Sequence, residues 1–331
     1  MFNLRFSANA GFYGLRRDRF TQYQPARSLE ERISLIARTE GIKGVELKYP
    51  ADFADLNLVQ TLLADHDLTL VAVNVDIKDA QHFLHGALSA PDPAARGYAV
   101  KLLQEGMDIA AELGANLVTT CPLADGYDYP FQLDFSATWG RFIDSAYAVA
   151  AHRSDVRFCL EYQPHEPHAH ILLNNVGKVL HVCASVGLPN MGANLDVGHS
   201  FAALEAPAEA AALLASQNRL FYIHTNDNTG DGGDWDMLSG TVHFWHWLEL
   251  LFTLYRLAYD GWLGGDIVPK QMHPLAAYST NTRMVQRMAA LLEQIGTEKI
   301  AALQAQNSDP AEMFDLLSSF MPKLVAETTP T

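Results

Sequence analysis

Cysteine is scarce: Cys121, Cys159 and Cys183 are the three in a chain of 331, odd in number and with no CxxC pair. That count excludes a disulfide framework and a cysteine-built zinc site, and makes a reducing compartment the expectation. Basic residues are also few, 23 Lys plus Arg against 38 Asp plus Glu, for a formal net charge of -15. Such a chain repels phosphate backbones and anionic lipid, so neither nucleic acid nor a membrane is expected as a partner. No run of about 18 apolar residues occurs without a charge, and the first twenty residues hold no apolar stretch of signal-peptide length. A cytoplasmic protein is the expectation. Missing too are Ser/Gly linkers and a GxGxxG opening a helix after a strand, which counts against a doubly wound dinucleotide-binding sheet.

What is present is a globular composition, 49% hydrophobic and 18% charged, with 22 Gly and 15 Pro. Eight short β-rich runs recur at 3–8, 44–49, 68–76, 116–122, 156–162, 191–197, 219–227 and 262–268. Between them lie Ala- and Leu-rich stretches of 3.6-residue period, such as 98–114, 176–187 and 244–259. Strand alternating with helix eight times predicts an α/β fold, a (β/α)8 TIM barrel closed by right-handed crossovers, over residues 1–295. Residues 296–331 read as a C-terminal helical extension that either packs on the barrel or meets a neighbouring subunit.

In such a barrel the reactive groups lie at the C-terminal ends of the strands. The fifth to eighth runs end at Glu161, Asp196, His224 and Asp266, each after an apolar approach (FCLE, MGANLD, LFYIH, WLGGD). A single polar strand end needs only solvent to explain it; four in succession at matching depth point to a metal. Around them stand His199, three residues after Asp196, and Asp227, Asp231, Asp234 and Asp236 after His224. Three carboxylates and one imidazole suit Mn, Mg or Co, with Mn2+ the first choice, better than a structural zinc site. His199, Asp234 and Asp236, with Asp196 bridging, make a second ion beside the first an expectation. The DGGDWD loop alone reads equally well as a stiff solvated turn. So many acids in one mouth, however, repel each other unless cations are bound.

The segments LEYQPHEP (160–167), NLDVGHS (194–200), HTND with DWD (224–236) and GGD (264–266) resemble the xylose isomerase-like TIM-barrel superfamily of sugar isomerases and epimerases. Residues 112–132 are similar to the fourth-strand region of its aldose-ketose isomerases, and the L-rhamnose isomerase and D-apiose isomerase types look nearest. The resemblance implies a first metal held by Glu161, Asp196, His224 and Asp266, and a second held by Asp196, His199, Asp234 and Asp236. It implies that Glu161, His199, Asp234 and Asp236 serve the reaction, a metal-assisted hydride shift between C1 and C2 of a sugar. Two departures stand out. Where xylose isomerases carry a lysine two residues after the strand 5 glutamate, this chain has Gln163, and where they carry a ring-opening histidine it has Lys48. Either Lys48 assists ring opening and oxyanion binding, or the sugar is largely open-chain.

The alternatives are a single-metal ketose 3-epimerase working by glutamate-mediated proton transfer, and a sugar-binding barrel without activity. The 3-epimerase type pairs opposed glutamates and has an arginine soon after the strand 7 histidine; here strand 8 presents Asp266, and 224–240 holds no arginine. The endonuclease IV branch, with DxH where this chain has Asp234-Trp235-Asp236, meets the objection of charge. A decayed site is expected to lose ligands, whereas all seven positions are competent. No Gly-rich turn or basic cluster follows strands 7 and 8 to receive a phosphate, so the expected partner is a small neutral sugar. Phe12, Tyr13, Tyr49, Tyr129, Phe131 and Trp235 are candidate walls for its C–H faces, with Tyr129-Pro130-Phe131 favoured. Phe20 follows strand 1 in a loop that in relatives reaches a neighbouring subunit's site, which points to a homodimer or homotetramer.

Overall fold

The computed structural model describes residues 3–231, 233–306 and 309–321. Eight strands form a closed barrel, here β1 (Arg5–Asn9), β2 (Ile42–Tyr49), β3 (Thr69–Val75), β4 (Leu117–Thr120), β5 (Arg157–Glu161), β6 (Met191–Asp196), β7 (Leu220–Thr225) and β8 (Trp262–Gly265). Each pairs in parallel with its sequence neighbour, and β1 closes the ring against β8. All eight sequence runs are therefore strands, trimmed or shifted by a few residues at the ends, and the (β/α)8 barrel is the observed fold.

Eight helices surround the barrel: α1 (Leu29–Ala37), α2 (Leu56–Asp65), α3 (Pro93–Glu112), α4 (Phe135–Ala150), α5 (Val176–Val186), α6 (Pro207–Ser216), α7 (Phe244–Arg256) and α8 (Pro274–Ile295). Their starts are written locally. Ser28 and Glu31 form a capping box at α1, and Asp55, Asp92, Asp134 and Asn175 each accept a backbone N–H at the starts of α2 to α5. Gly187, at φ 71°, ends α5 in the left-handed conformation that favours glycine. The main core lies between strands and helices; inside the barrel, Val71, Ala72, Leu117, Cys159 and Tyr222 form a separate plug.

Beyond α8, α9 (Thr297–Ala305) and α10 (Pro310–Leu317) fold back on α7, with Phe314 against Trp245 at 5.6 Å between ring centroids. Residues 322–331 of the expected extension, with 307 and 308, lie outside the described residues. Among the described residues no helix is long and apolar enough to cross a membrane.

Candidate active site

The strand ends converge. Glu161 and Asp196 are the last residues of β5 and β6, His224 is the penultimate residue of β7, and Asp266 follows β8 directly. All four are buried, and each offers a ligand atom within 4.8 Å of the others. His224 Nδ1 faces Asp266 Oδ2 at 2.9 Å, Glu161 Oε2 at 3.4 Å and Asp196 Oδ2 at 3.8 Å.

The second set lies against the first. Asp196 caps the short helix Val197–Ala202, accepting the His199 backbone N–H at 2.8 Å, which fixes the His199 ring between the two groups. Its Nδ1 approaches Glu161 Oε1 and its Nε2 approaches Asp234 Oδ2, both at 3.3 Å. Asp236 is tied in through Asn226, whose Nδ2 donates to Asp196 Oδ2 at 2.9 Å and to Asp236 Oδ1 at 3.1 Å. The seven residues singled out as ligands are thus connected, but the group whose ligand atoms lie within 4.8 Å of one another is the first four, and His199 makes such a group with Glu161 and Cys121. Asp227 and Asp231 do not join them. Asp227 accepts the Val242 and His243 backbone N–H groups, and Asp231 accepts from Trp235 Nε1, Thr229 and Gly233, so both shape the loop.

The charges conflict in the bare protein. Burial pushes the Asp196 carboxyl up to about 7, opposed by His199 and His224 and reinforced by Glu161 and Asp266. Burial and then Asp234, Asp266 and Asp196 push Asp236 well above the carboxylate range. For His224, burial disfavours the charged ring, but Glu46, Glu161 and Asp266 outweigh it and hold the imidazole protonated well above its usual value. His199 behaves alike, with Asp196 and Asp234 overcoming burial. Protons here do what a cation would do.

The hydrogen-bond account supports a cation directly. His199 Nδ1, Asp234 Oδ1 and Asp266 Oδ1, all on the cavity wall, are buried with no hydrogen-bond partner. Each such orphan costs about 1–3 kcal/mol, and clustered around one cavity they are best explained as atoms that face a metal or the groups it holds. Oxygen donors with one or two imidazoles suit a hard or borderline divalent ion, so the residues present fit the group.

Reading strand ends alone missed the supporting residues. Glu46, fully buried in β2, accepts from His224 Nε2 at 3.0 Å, which turns Nδ1 toward the ligand cluster, and it is itself held by Asn74 at 2.7 Å and Asn9 at 3.4 Å. Asn194 donates to Glu161 Oε2 at 2.8 Å from within β6. The signal for Glu46 was available: it shares the inward face of β2 with Lys48, two residues on, and is a lone acid in an apolar strand.

Above the ligands is a cavity of about 430 Å3 lined by Phe12, Lys48, Lys78, Cys121, Leu123 and Gln163 together with the acids. Lys48 lies on its wall, ion-paired to Asp76 at 2.6 Å. Of the proposed aromatic walls only Phe12 lines it. Tyr13 is core, bonded to Thr39, Tyr49 points away to Glu105, and Trp235 borders an adjacent hollow under Lys270. Tyr129 and Phe131 stand out from the surface, 74% and 104% exposed, because the turn at Phe131 (φ 65°) carries them away from the mouth. Phe20 is likewise exposed at the tip of the hairpin joining Arg16–Arg17 to Gln22–Gln24.

Residues 35–301 match the family profile described as the xylose isomerase-like TIM barrel. The chain belongs to that family. It is 28% identical over 204 residues to xylose isomerase of Thermus thermophilus, a match covering 60% of this chain but only 53% of that protein. Among solved structures, a D-tagatose 3-epimerase-like protein superimposes with a TM-score of 0.68 at 16% identity, covering 88% of this chain and 99% of its own. The D-allulose 3-epimerase of a Methylomonas species gives 0.65 at 15% identity, covering 86% and 97%. At those identities the likeness is one of fold. Family membership establishes the barrel, the chain spans about half the length of that xylose isomerase, and the cluster brings together donor atoms of the kind that can hold a divalent metal.

Proposed function

We propose that the protein is a divalent-metal-dependent aldose-ketose isomerase acting on a small unphosphorylated sugar, a pentose or tetrose such as D-apiose, by a 1,2-hydride shift. One observation carries this: His199 joins Asp234 to the Glu161, Asp196, His224 and Asp266 cluster, and Asn226 ties Asp236 to Asp196, so further donors stand beside the one set that a proton-transfer epimerase needs. Such ions, Mn2+ by preference, would supply Lewis-acid polarisation of two neighbouring sugar oxygens. The chain's own residues do the rest. Glu161 and Asp266 orient adjacent hydroxyls over the floor formed by His224, and Asp234 Oδ1, which has no protein partner, receives the proton lost from the C2 hydroxyl. Phe12 and Leu123 cover the C–H face and limit water.

The charge balance favours a neutral substrate. Glu46, Glu161, Asp196, Asp234, Asp236, Asp266 and Asp76 carry seven negative charges, which two divalent ions with Arg16, Lys48 and Lys78 just offset. A phosphate ester would add about two more with nothing to receive them. In the cytoplasm such an enzyme would work on free sugars, and the projecting Phe20 hairpin gives a homodimer or homotetramer a place to form.

Turnover of a panel of aldopentoses, D-apiose and erythrose in heavy water tests the proposal. A hydride shift moves the C2 hydrogen to C1 with little deuterium in the product, and metal removal abolishes it. Deuterium at C3 of a ketose would establish the epimerase reading instead, and preference for a sugar phosphate would overturn the neutral-substrate reading.

A further inference from the structure

Three basic side chains line the cavity, and two are already engaged. Lys48 is paired with Asp76 at 2.6 Å, and the Arg16 guanidinium lies 4.0 Å over the Phe12 ring on the side of Asp236 and Asp266. Lys78 forms no ion pair within 4.0 Å among the described residues. Its placement follows from the turn after β3. Its backbone N–H donates to Asp76 Oδ1 at 3.2 Å, Ile77 goes into the core, and the Lys78 side chain is left facing the cavity. Gln163, also on the cavity wall, is spent on its own surroundings: Nε2 donates to the His165 carbonyl at 2.7 Å, and Oε1 takes the Cys121 thiol at 3.8 Å.

We propose that Lys78 is a catalytic residue, a charged donor from the turn after β3 that holds the reacting oxygen of the sugar across the cavity from Glu161 and the metal-binding acids. This rests on the isomerase reading. A 1,2-hydrogen shift builds negative charge on oxygen, and an ammonium group on the cavity wall beside the reacting atoms stabilises that charge more than it stabilises the neutral ground state, even though Lys78 itself reaches solvent. The surroundings keep it charged: partial desolvation at the cavity wall disfavours the ammonium, but neighbouring groups, the Asp76, Glu161 and Asp266 carboxylates among them, raise its pKa above the usual lysine value. Lys78 therefore donates and does not act as a base. Gln163, which follows Glu161 by two residues, needs no charge because Lys78 brings one from another strand.

Lys78→Met and Lys78→Met with Gln163→Lys, both metal-loaded, test this with two readouts. The single variant should lower kcat about 100-fold with KM changed far less, and the added lysine should recover at least about tenfold. A kcat within about threefold of wild type for Lys78→Met would overturn the proposal, as would equal losses in kcat and folded stability with no recovery. The second readout needs no turnover. Acetylation of Lys78, followed by mass spectrometry, should slow when xylitol is added to the metal-loaded wild type, while Lys101 on α3 is unaffected; an unshielded Lys78 would also overturn it. If wild type converts no sugar, the isomerase reading fails, and the shielding result still decides whether Lys78 contacts a polyol.

Discussion

Asp236→Asn should make the metal-free protein more stable and the metal-loaded protein inactive. Asp236 faces Asp234, Asp266 and Asp196, and with burial they raise its pKa well above 3.8. The bare native state therefore favours the protonated form of a group that the unfolded chain releases near 3.8, and each unit of that rise costs about 1.4 kcal/mol at a pH above both values. An amide needs no proton, and because the cluster shares its protons the gain expected is on the order of 1–2 kcal/mol. The shape is kept. Asn tolerates the φ of 45° at this position, and its Oδ1 can still accept from Asn226 Nδ2. Thermal unfolding in chelator should show a midpoint a few degrees higher at pH 7. The gain should shrink toward pH 5, where the proton costs less. In Mn2+ the order should reverse, with kcat down about 100-fold. A bare variant no more stable than wild type, or a gain independent of pH, would refute the charge-conflict account.

Glu46→Gln should weaken metal binding about 10- to 100-fold with little change in fold, since it removes the charge that orients and polarises His224 while leaving an acceptor at the same place; an unchanged metal Kd by calorimetric titration would dismiss the relay. Metal-free protein should lose stability as pH rises from about 4 to 7, because Asp196, pushed up to about 7, keeps a proton that the unfolded chain releases near 3.8. The raised His199 and His224 extend the loss above about 6.5 in the same direction. Metal binding needs these groups deprotonated, so the difference in unfolding midpoint between Mn2+ and chelator should widen with pH, and a constant difference would count against it.

The sequence by itself determined the barrel and the acids and histidines gathered at its strand ends. Strand periodicity, helix caps and turn residues are local properties, and in a parallel barrel every strand ends on the same face, so Glu161, Asp196, His224 and Asp266 could be assembled from their places at strand ends. His199 was legible too, because the helix capped by Asp196 fixes it three residues on. Tertiary structure alone decided what surrounds them. Glu46 reaches His224 across 178 positions of sequence, Asn226 ties Asp196 to Asp236, and the turn at Asp76 aims Lys78 into the cavity while Lys48 is drawn onto Asp76. The rim aromatics were misread for the same reason: a loop's side chains point where its backbone turns, and the positive φ at Phe131 sends that ring to solvent. Ligands at strand ends follow from a repeating geometry, whereas second partners and loop directions depend on non-local packing, which no window of sequence contains.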